Sequence, residues 1–163
     1  AVINLTHPPE PHPLARIRPG WGGLIQRCPR PILAIPNAIQ SNQDRVLLAY
    51  DGSAKADEAL FVATYLTARW KKALTVLTVK TAYTNVTAID RARDYLQQHG
   101  VTWANYVLRD GSINDAILET AESHNINLLI VGGFGRRPAL RLVLGSTVEH
   151  LLREFKQPML ICR

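Results

Sequence analysis

Short apolar runs alternate with helical patterns of apolar residues from Asp44 to the end of the chain. The runs are rich in Val, Ile, Leu and Thr, a composition that favours buried strands. Five such runs predict strands at residues 45–50, 74–79, 101–108, 126–131 and 159–162. Strands that alternate with helices form parallel sheets whose right-handed crossovers place helices on both faces. The pattern therefore predicts an α/β fold with an open, doubly wound sheet of five parallel strands.

Each predicted helix combines an apolar stripe with a recognisable start or end. Ser53 is placed to cap the first helix, and Ser112 with Asp115 forms a capping box for the third. Gly100 ends the second helix. The apolar stripes of the four helices are Ala56, Ala59, Leu60, Ala63 and Leu66; Ile89, Ala92 and Leu96; Ile113, Ala116, Ile117 and Ala121; and Val148, Leu151, Leu152 and Phe155.

The first 44 residues have a different character. They contain eight of the ten prolines and no complete strand–helix unit. Residues 24–35 align without gaps to residues 151–162, and three aligned pairs are identical: Leu24/Leu151, Pro31/Pro158 and Leu33/Leu160. Chance is one explanation of a match this short. The other is that residues 1–44 are the remnant helix end and strand of an upstream repeat, followed by one domain at residues 45–163.

This repeat predicts an extra N-terminal strand. Ile32–Ile35 corresponds to Met159–Cys162, the last strand of the domain. Because a strand with unpaired backbone groups along its edge pairs readily, we expect the two segments to pair antiparallel. The pairing could occur within one chain or across a dimer.

A glycine pattern follows the fourth predicted strand. Two residues separate Gly132 from Gly135, nine separate Gly135 from Gly145, and Ser146 comes next at the start of a helix. Glycine loops and helix N-termini present backbone N–H groups and a partial positive charge to phosphate. Asp51 ends the first strand, so it shares a cleft with this loop if the two strands are neighbours at a switch point of the sheet.

Charge and composition remove several classes of function. The net charge is +6, but residues 1–45 carry five Arg against Glu10 and Asp44, leaving only +3 for the rest. Without aromatic residues interleaved among basic ones, nucleic-acid binding is disfavoured. Arg136, Arg137 and Arg141 form a basic cluster in the glycine loop, either as a solvated loop or to attract an anionic ligand. With no membrane-length apolar run and two distant cysteines, a cytoplasmic protein is expected.

These residues resemble the universal stress protein family, whose nucleotide-binding members share the spacing Gly-x2-Gly-x9-Gly-Ser. Gly132, Gly135, Gly145 and Ser146 match it, and the resemblance extends over residues 45–163. The resemblance implies a sheet with strand order 3-2-1-4-5. It also implies that the bound nucleotide is ATP, with or without Mg2+, and that a homodimer forms through the last strand.

Roles carried over from the family concern both ends of the nucleotide. Asp51 would contact the ribose or adenine, and the backbone of Val79 the adenine. The phosphate side would comprise Gly132, Gly135, Arg136, Gly145, Ser146 and Thr147. Simpler roles exist as well: Asp51 could stabilise a turn, Ser146 a helix start, Thr147 a first helical turn, and Gly132 or Gly145 close packing.

Two residues depart from the family pattern. Thr78 stands where the family often has His, and Asn127 where it often has Asp. Both departures put the details of the adenine side in doubt.

The chain lacks the signatures of common catalytic sites. There is no Walker A sequence, no His-Glu-x-x-His, no Gly-x-Ser-x-Gly and no paired carboxylates beside the glycine loop. The leading hypothesis is an ATP-binding stress-response module that regulates through nucleotide occupancy. The alternatives are a weak ATP hydrolase or adenylyl-transfer enzyme on the same fold, and a nucleotide-free dimerisation domain.

Overall fold

The computed structural model describes residues 1–4, 28–36, 42–82, 84, 86–133 and 146–162. Within these residues seven strands and four helices are defined. The strands are β1 (Val2–Asn4), β2 (Ile32–Ile35), β3 (Arg45–Ala49), β4 (Ala73–Val79), β5 (Asn105–Arg109), β6 (Leu128–Gly132) and β7 (Met159–Cys162). The helices are α1 (Ala54–Trp70), α2 (Val86–Gln98), α3 (Ile113–Ser123) and α4 (Ser146–Glu154).

All seven strands join one sheet in the order β1-β2-β7-β6-β3-β4-β5. Strands β3 to β7 pair in parallel with one another, and their order is the predicted 3-2-1-4-5. β2 pairs antiparallel with β7 inside the chain, which confirms the predicted pairing. The predicted extra strand is present, and a second one that was not predicted, β1, continues the sheet parallel to β2. Three residues are too few to show a strand period in sequence.

Helices cover both faces of the sheet, as the doubly wound pattern predicts. On one face, here called the α1–α2 face, alternate residues of β3, β4 and β6 pack against α1 and α2 in one apolar cluster. On the other, the α3–α4 face, the intervening residues pack against α3 and α4. Central side chains such as Leu47, Leu129 and Ile130 are fully buried. Among the described residues, no helix has the length and apolar character needed to cross a membrane.

Two predicted strands begin too early, for one reason. α2 and α3 are each followed by a residue of positive φ, Gly100 (+76°) and Asn125 (+50°). The next residues, Val101 and Ile126, are buried, and their N–H groups bond back to Leu96 O (2.9 Å) and Ala121 O (2.8 Å). These bonds are the Schellman arrangement that ends a helix. Val101 and Ile126 are therefore apolar because they pack under a helix end, and the strands start later, at Asn105 and Leu128.

The helix starts follow their capping signals. Ser53 Oγ accepts from Ala56 N at 3.2 Å, and Ser112 Oγ accepts from Asp115 N at 3.5 Å. Each serine has extended backbone and satisfies an amide that the first helical turn leaves without a partner. Both capping predictions are confirmed.

Candidate functional site

The crevice at the carboxyl ends of β3 and β6 is the switch point of the sheet. β3 bonds to β4 on one side and to β6 on the other. The chain leaves β3 into α1 on one face, while α4, which follows β6, packs on the opposite face. Connections that diverge in this way open a crevice at the strand ends, where doubly wound proteins bind ligands.

Asp51 forms the turn between β3 and α1. Its Oδ1 accepts from Ser53 N at 2.9 Å, and Gly52 has a φ of +73°. The turn role considered for Asp51 is therefore present in the structure. The other carboxylate oxygen, Oδ2, bonds to none of the described residues, and the side chain is half-buried. The turn thus uses one carboxylate oxygen of Asp51 and leaves the other, Oδ2, outside the hydrogen bond to Ser53 N.

Gly132 ends β6 directly against the first turn of α1. A Cβ on this residue would lie 2.8 Å from Lys55 C and 2.9 Å from both Lys55 O and Ala56 N. These are backbone atoms of a helix start, which cannot rotate away as a side chain can. Close packing is therefore a sufficient reason for glycine here. The same packing places the end of β6 against the first turn of α1, which directly follows the Asp51 turn.

Gly133 is held against the end of β7. Its N–H donates to Cys162 O, and a Cβ on Gly133 would approach that oxygen to 2.9 Å. These contacts fix the position of Gly133, the first residue after β6.

On its other side the crevice is bordered by β4. Leu77 is the last β4 residue paired with β3, so Val79 extends two positions past the end of that pairing. Thr78 is fully buried, and its Oγ1 donates to Tyr50 O at 2.9 Å. The threonine that replaces the family's frequent His therefore fixes the end of β3 next to Asp51.

The other predicted site residues are placed less completely. Gly135, Arg136 and Gly145, with Arg137 and Arg141, lie outside the described residues. Ser146 and Thr147 open α4, and Thr147 is half-buried.

Asn127 does not belong to the adenine side, contrary to expectation. It precedes β6 at the amino end of the sheet, where its Oδ1 accepts from Arg45 N at 2.9 Å. Since Gly132 marks the opposite end of the same strand, the residue at position 127 does not affect the crevice directly.

A buried polar link beside the crevice is absent from the sequence-based predictions. Tyr50, 2% exposed, donates from its hydroxyl to Asp57 Oδ1 at 2.7 Å. Asp57 Oδ2 accepts from Arg91 Nη2 at 2.5 Å, which ties α1 to α2. Tyr50 reads as the last apolar residue of a strand, and only the fold brings Asp57 and Arg91 to it. The available signal is that a buried tyrosine hydroxyl needs a partner.

The same region predicts a loss of stability at alkaline pH. Burial, followed by the hydrogen bond to Asp57, raises the pKa of Tyr50 above its ordinary 10.0. Burial raises the pKa of Cys162 from 9.0 to about 12. Both groups stay protonated in the fold after the unfolded chain has lost the proton. The free energy of unfolding is at its full value below about pH 9. It falls by about 1.4 kcal/mol per pH unit once the unfolded Cys162 thiol ionises above about pH 9, and by about 1.4 kcal/mol more per pH unit once unfolded Tyr50 ionises above about pH 10.

Urea unfolding between pH 8 and 11 measures this slope. Cys162→Ala removes the contribution that begins near pH 9, and Tyr50→Phe removes the one that begins near pH 10. A wild-type slope that neither substitution reduces would contradict the assignment.

The architecture defines a class of protein, the doubly wound α/β domains. In this one, the Asp51 turn and the Gly132–Gly133 end of β6 lie at the switch point of the sheet. A family model described as the universal stress protein family matches residues 82–163. The chain belongs to the universal stress protein family.

Three similar proteins place the chain within that family. A universal stress protein of Synechocystis is 30% identical over 143 residues, covering 86% of this chain and 49% of that protein. A universal stress protein structure from Archaeoglobus fulgidus superposes with a TM-score of 0.71 at 24% identity, covering 87% of this chain and 52% of that one. A universal stress protein in complex with cAMP gives a TM-score of 0.63 at 25% identity, covering 74% and 96%. The chain thus spans about half the length of the first two.

Proposed function

We propose that this chain is a stress-response regulatory module that binds ATP in the crevice between the ends of β3 and β6. The observation that carries the proposal is the position of the Asp51 turn and the Gly132–Gly133 strand end on either side of the first turn of α1. Nucleotide occupancy would stabilise the described fold, because a ligand that binds only the folded state raises its stability.

The second carboxylate oxygen of Asp51, Oδ2, supports the proposed contact with a ribose. A carboxylate oxygen accepts hydrogen bonds from sugar hydroxyls, a role that acidic residues have at other switch points. Asp51 is held in the turn by its Oδ1, so Oδ2 is oriented without further ordering of the side chain. Preorganisation of this kind lowers the entropic cost of binding.

The family relation supports an adenine nucleotide. The relative whose structure contains cAMP is 25% identical to this chain and aligns over 74% of it. The spacing from Gly132 to Ser146, with Arg136 in the loop, favours a triphosphate because it supplies backbone N–H groups and positive charge. Mg2+ would be carried chiefly by the phosphates, as is usual for this ion. In the part of the chain that the structure describes, no group of three His, Cys, Asp or Glu could hold a metal.

Calorimetric titration with ATP, ADP, AMP and cAMP, each with and without Mg2+, tests the proposal. Asp51→Ala is expected to weaken ATP binding at least about tenfold, since a hydrogen bond to a charged group contributes about 1.5–3 kcal/mol. Asp51→Asn keeps an acceptor for Ser53 N, so it separates loss of the charge from loss of the turn.

Asp110 is the matched control. The tripeptide Asp110-Gly111-Ser112 repeats Asp51-Gly52-Ser53 and also precedes a capped helix, but it follows β5 at the sheet edge. Asp110→Ala should leave the ATP affinity unchanged within about twofold, as expected for an exposed surface position. Equal losses in the Asp51 and Asp110 variants, or no binding at millimolar ATP, would reject the proposal. Turnover of ATP that Asp51→Ala abolishes would identify an enzyme instead.

A further inference from the structure

Large aromatic side chains are exposed at the C-terminal end of α1. Tyr65, Trp70 and Trp103 are 59%, 55% and 39% exposed. Tryptophan is highly buried on average, because its large ring loses free energy when it is left in water. Both tryptophans that the structure describes are therefore in an unusual state, and they occur at the same place on the surface.

Contacts between these side chains make the surface continuous. The rings of Tyr65 and Trp70 meet edge to face, with their centroids 6.2 Å apart. Trp70 ends α1, and the next residue, Lys71, places its Nζ 4.6 Å from the centroid of the Trp103 ring. Trp103 Nε1 donates to Lys72 O at 3.0 Å. The polar group of Trp103 is thus satisfied within the protein, and the exposed part of its ring is apolar.

Three basic residues at the same helix end have no acidic partner. Arg69 lies four positions after Tyr65, on the same face of α1, and Lys71 and Lys72 follow the helix. None of the three belongs to an ion pair among the described residues, and Lys72 Nζ donates to a backbone carbonyl at 2.6 Å. Asp44 is exposed beside them, bonded through its carbonyl to the residue after Lys72. A local excess of two positive charges remains, more than the roughly half a negative charge at a helix C-terminus balances.

This aromatic and basic surface lies at the amino end of the sheet. α1 ends at Trp70, β4 begins at Ala73, and Trp103 precedes β5. The crevice described above lies at the opposite end, where β3 and β6 finish. A partner bound to the aromatic and basic surface therefore leaves the crevice open.

We propose that this surface, named the α1-end surface, binds the headgroup layer of an anionic lipid membrane. It consists of Tyr65, Arg69, Trp70, Lys71, Lys72 and Trp103. Tryptophan and tyrosine favour the boundary between headgroups and acyl chains, because it accommodates both an apolar ring and a polar edge. The unpaired cations complement the negative surface potential of anionic lipids. The protein lies on the membrane, with its rings at the depth of the headgroups.

The geometry of the rings favours a membrane over a single-stranded nucleic acid. Nucleic-acid bases stack on the free faces of aromatic side chains. Lys71 Nζ covers one face of Trp103, and Tyr65 and Trp70 pack edge to face instead of presenting parallel faces. A membrane requires no free ring face, because it takes up the apolar area of the rings and attracts the cations separately.

Co-sedimentation with lipid vesicles tests the proposal. The 163-residue chain is mixed with vesicles of phosphatidylcholine alone or of equal parts phosphatidylcholine and phosphatidylglycerol, at low and at physiological salt. The anionic vesicles should bind at least about tenfold more tightly than the neutral ones, because each Lys or Arg near an anionic surface raises the affinity about fivefold. The difference should shrink at the higher salt concentration.

Substitutions separate the two parts of the α1-end surface. Arg69→Gln and Lys71→Gln should each weaken binding to the anionic vesicles about fivefold at low salt, and by less at physiological salt. Trp70→Ala should weaken it at least about tenfold at both salt concentrations, because burial of an apolar ring is not screened by salt. Far-ultraviolet circular dichroism establishes that each variant is folded.

Phe61→Ala is the matched control. Phe61 is on the same helix and is 61% exposed, but the groove that it lines also contains the carboxylates of Asp57 and Glu58. Its substitution should change the affinity for anionic vesicles less than about twofold, as expected for a surface position outside the contact. Equal losses in Phe61→Ala and Trp70→Ala, or no preference for anionic vesicles, would overturn the proposal. Binding of an oligothymidylate that Trp70→Ala abolishes, without binding to vesicles, would also overturn it and identify a nucleic acid as the partner.

Discussion

Gly132→Ala is expected to lower the free energy of unfolding by about 3 kcal/mol, the upper range for overpacking. The added Cβ would lie 2.8–2.9 Å from Lys55 C, Lys55 O and Ala56 N, all of them backbone atoms. Relief requires α1 to move away from β6, and α1 is also fixed by the capping bond of Ser53 and by the Asp57 link to α2. Urea unfolding with linear extrapolation measures the loss.

Gly111→Ala separates crowding from backbone strain. Gly111 has a φ of +100°, but a Cβ there would have nothing within 4 Å. We expect this variant to lose only about 1–2 kcal/mol, the cost of holding alanine in an unfavourable backbone conformation. If Gly132→Ala lost no more than Gly111→Ala, the close approach of β6 to α1 would not be what requires glycine.

Ile130→Ala is expected to lower the free energy of unfolding by about 3–4 kcal/mol, while Val2→Ala in the same chain lowers it by less than about 0.5 kcal/mol. Ile130 lies opposite Leu160 of β7, and Val2 lies opposite Leu33 of β2, so each residue flanks the β2–β7 pair. Ile130 is fully buried beneath α1, so its truncation leaves a cavity. Val2 is 68% exposed and leaves none.

The comparison between these variants is sensitive to what covers β1. Similar losses for Ile130→Ala and Val2→Ala in the 163-residue chain would show that β1 is already covered, and would contradict the asymmetry described above.

The elements predicted well are those whose cause is local. Ser53 and Ser112 cap their helices because a serine side chain satisfies an amide three residues away. Met159–Cys162 begins where expected, directly after Pro158. The misplaced strand starts at Val101 and Ile126 have a nonlocal cause, because only packing under a helix end distinguishes these apolar residues from strand residues.

The candidate site divides in the same way. The spacing of Gly132 and the Asp-Gly-Ser turn at Asp51 could be recognised along the chain. The contribution of Tyr50, Asp57 and Arg91 could not, because Arg91 lies on a different helix, 34 positions after Asp57. The expected relevance of Asn127 to adenine was wrong, since Asn127 precedes β6 and therefore lies at the amino end of the sheet, opposite the crevice.

By itself, the sequence determined the α/β class, the order of the elements and the antiparallel pairing of Ile32–Ile35 with Met159–Cys162. Period and capping act over short distances along the chain, and self-similarity is a direct comparison of two segments, so all three can be read from the sequence. Tertiary structure alone decided that Gly132 is crowded by α1, that Tyr50 bonds to Asp57, and that Val2 lacks the cover Ile130 has. Each of these depends on which face two distant elements share, a property that arises only when the sheet is assembled.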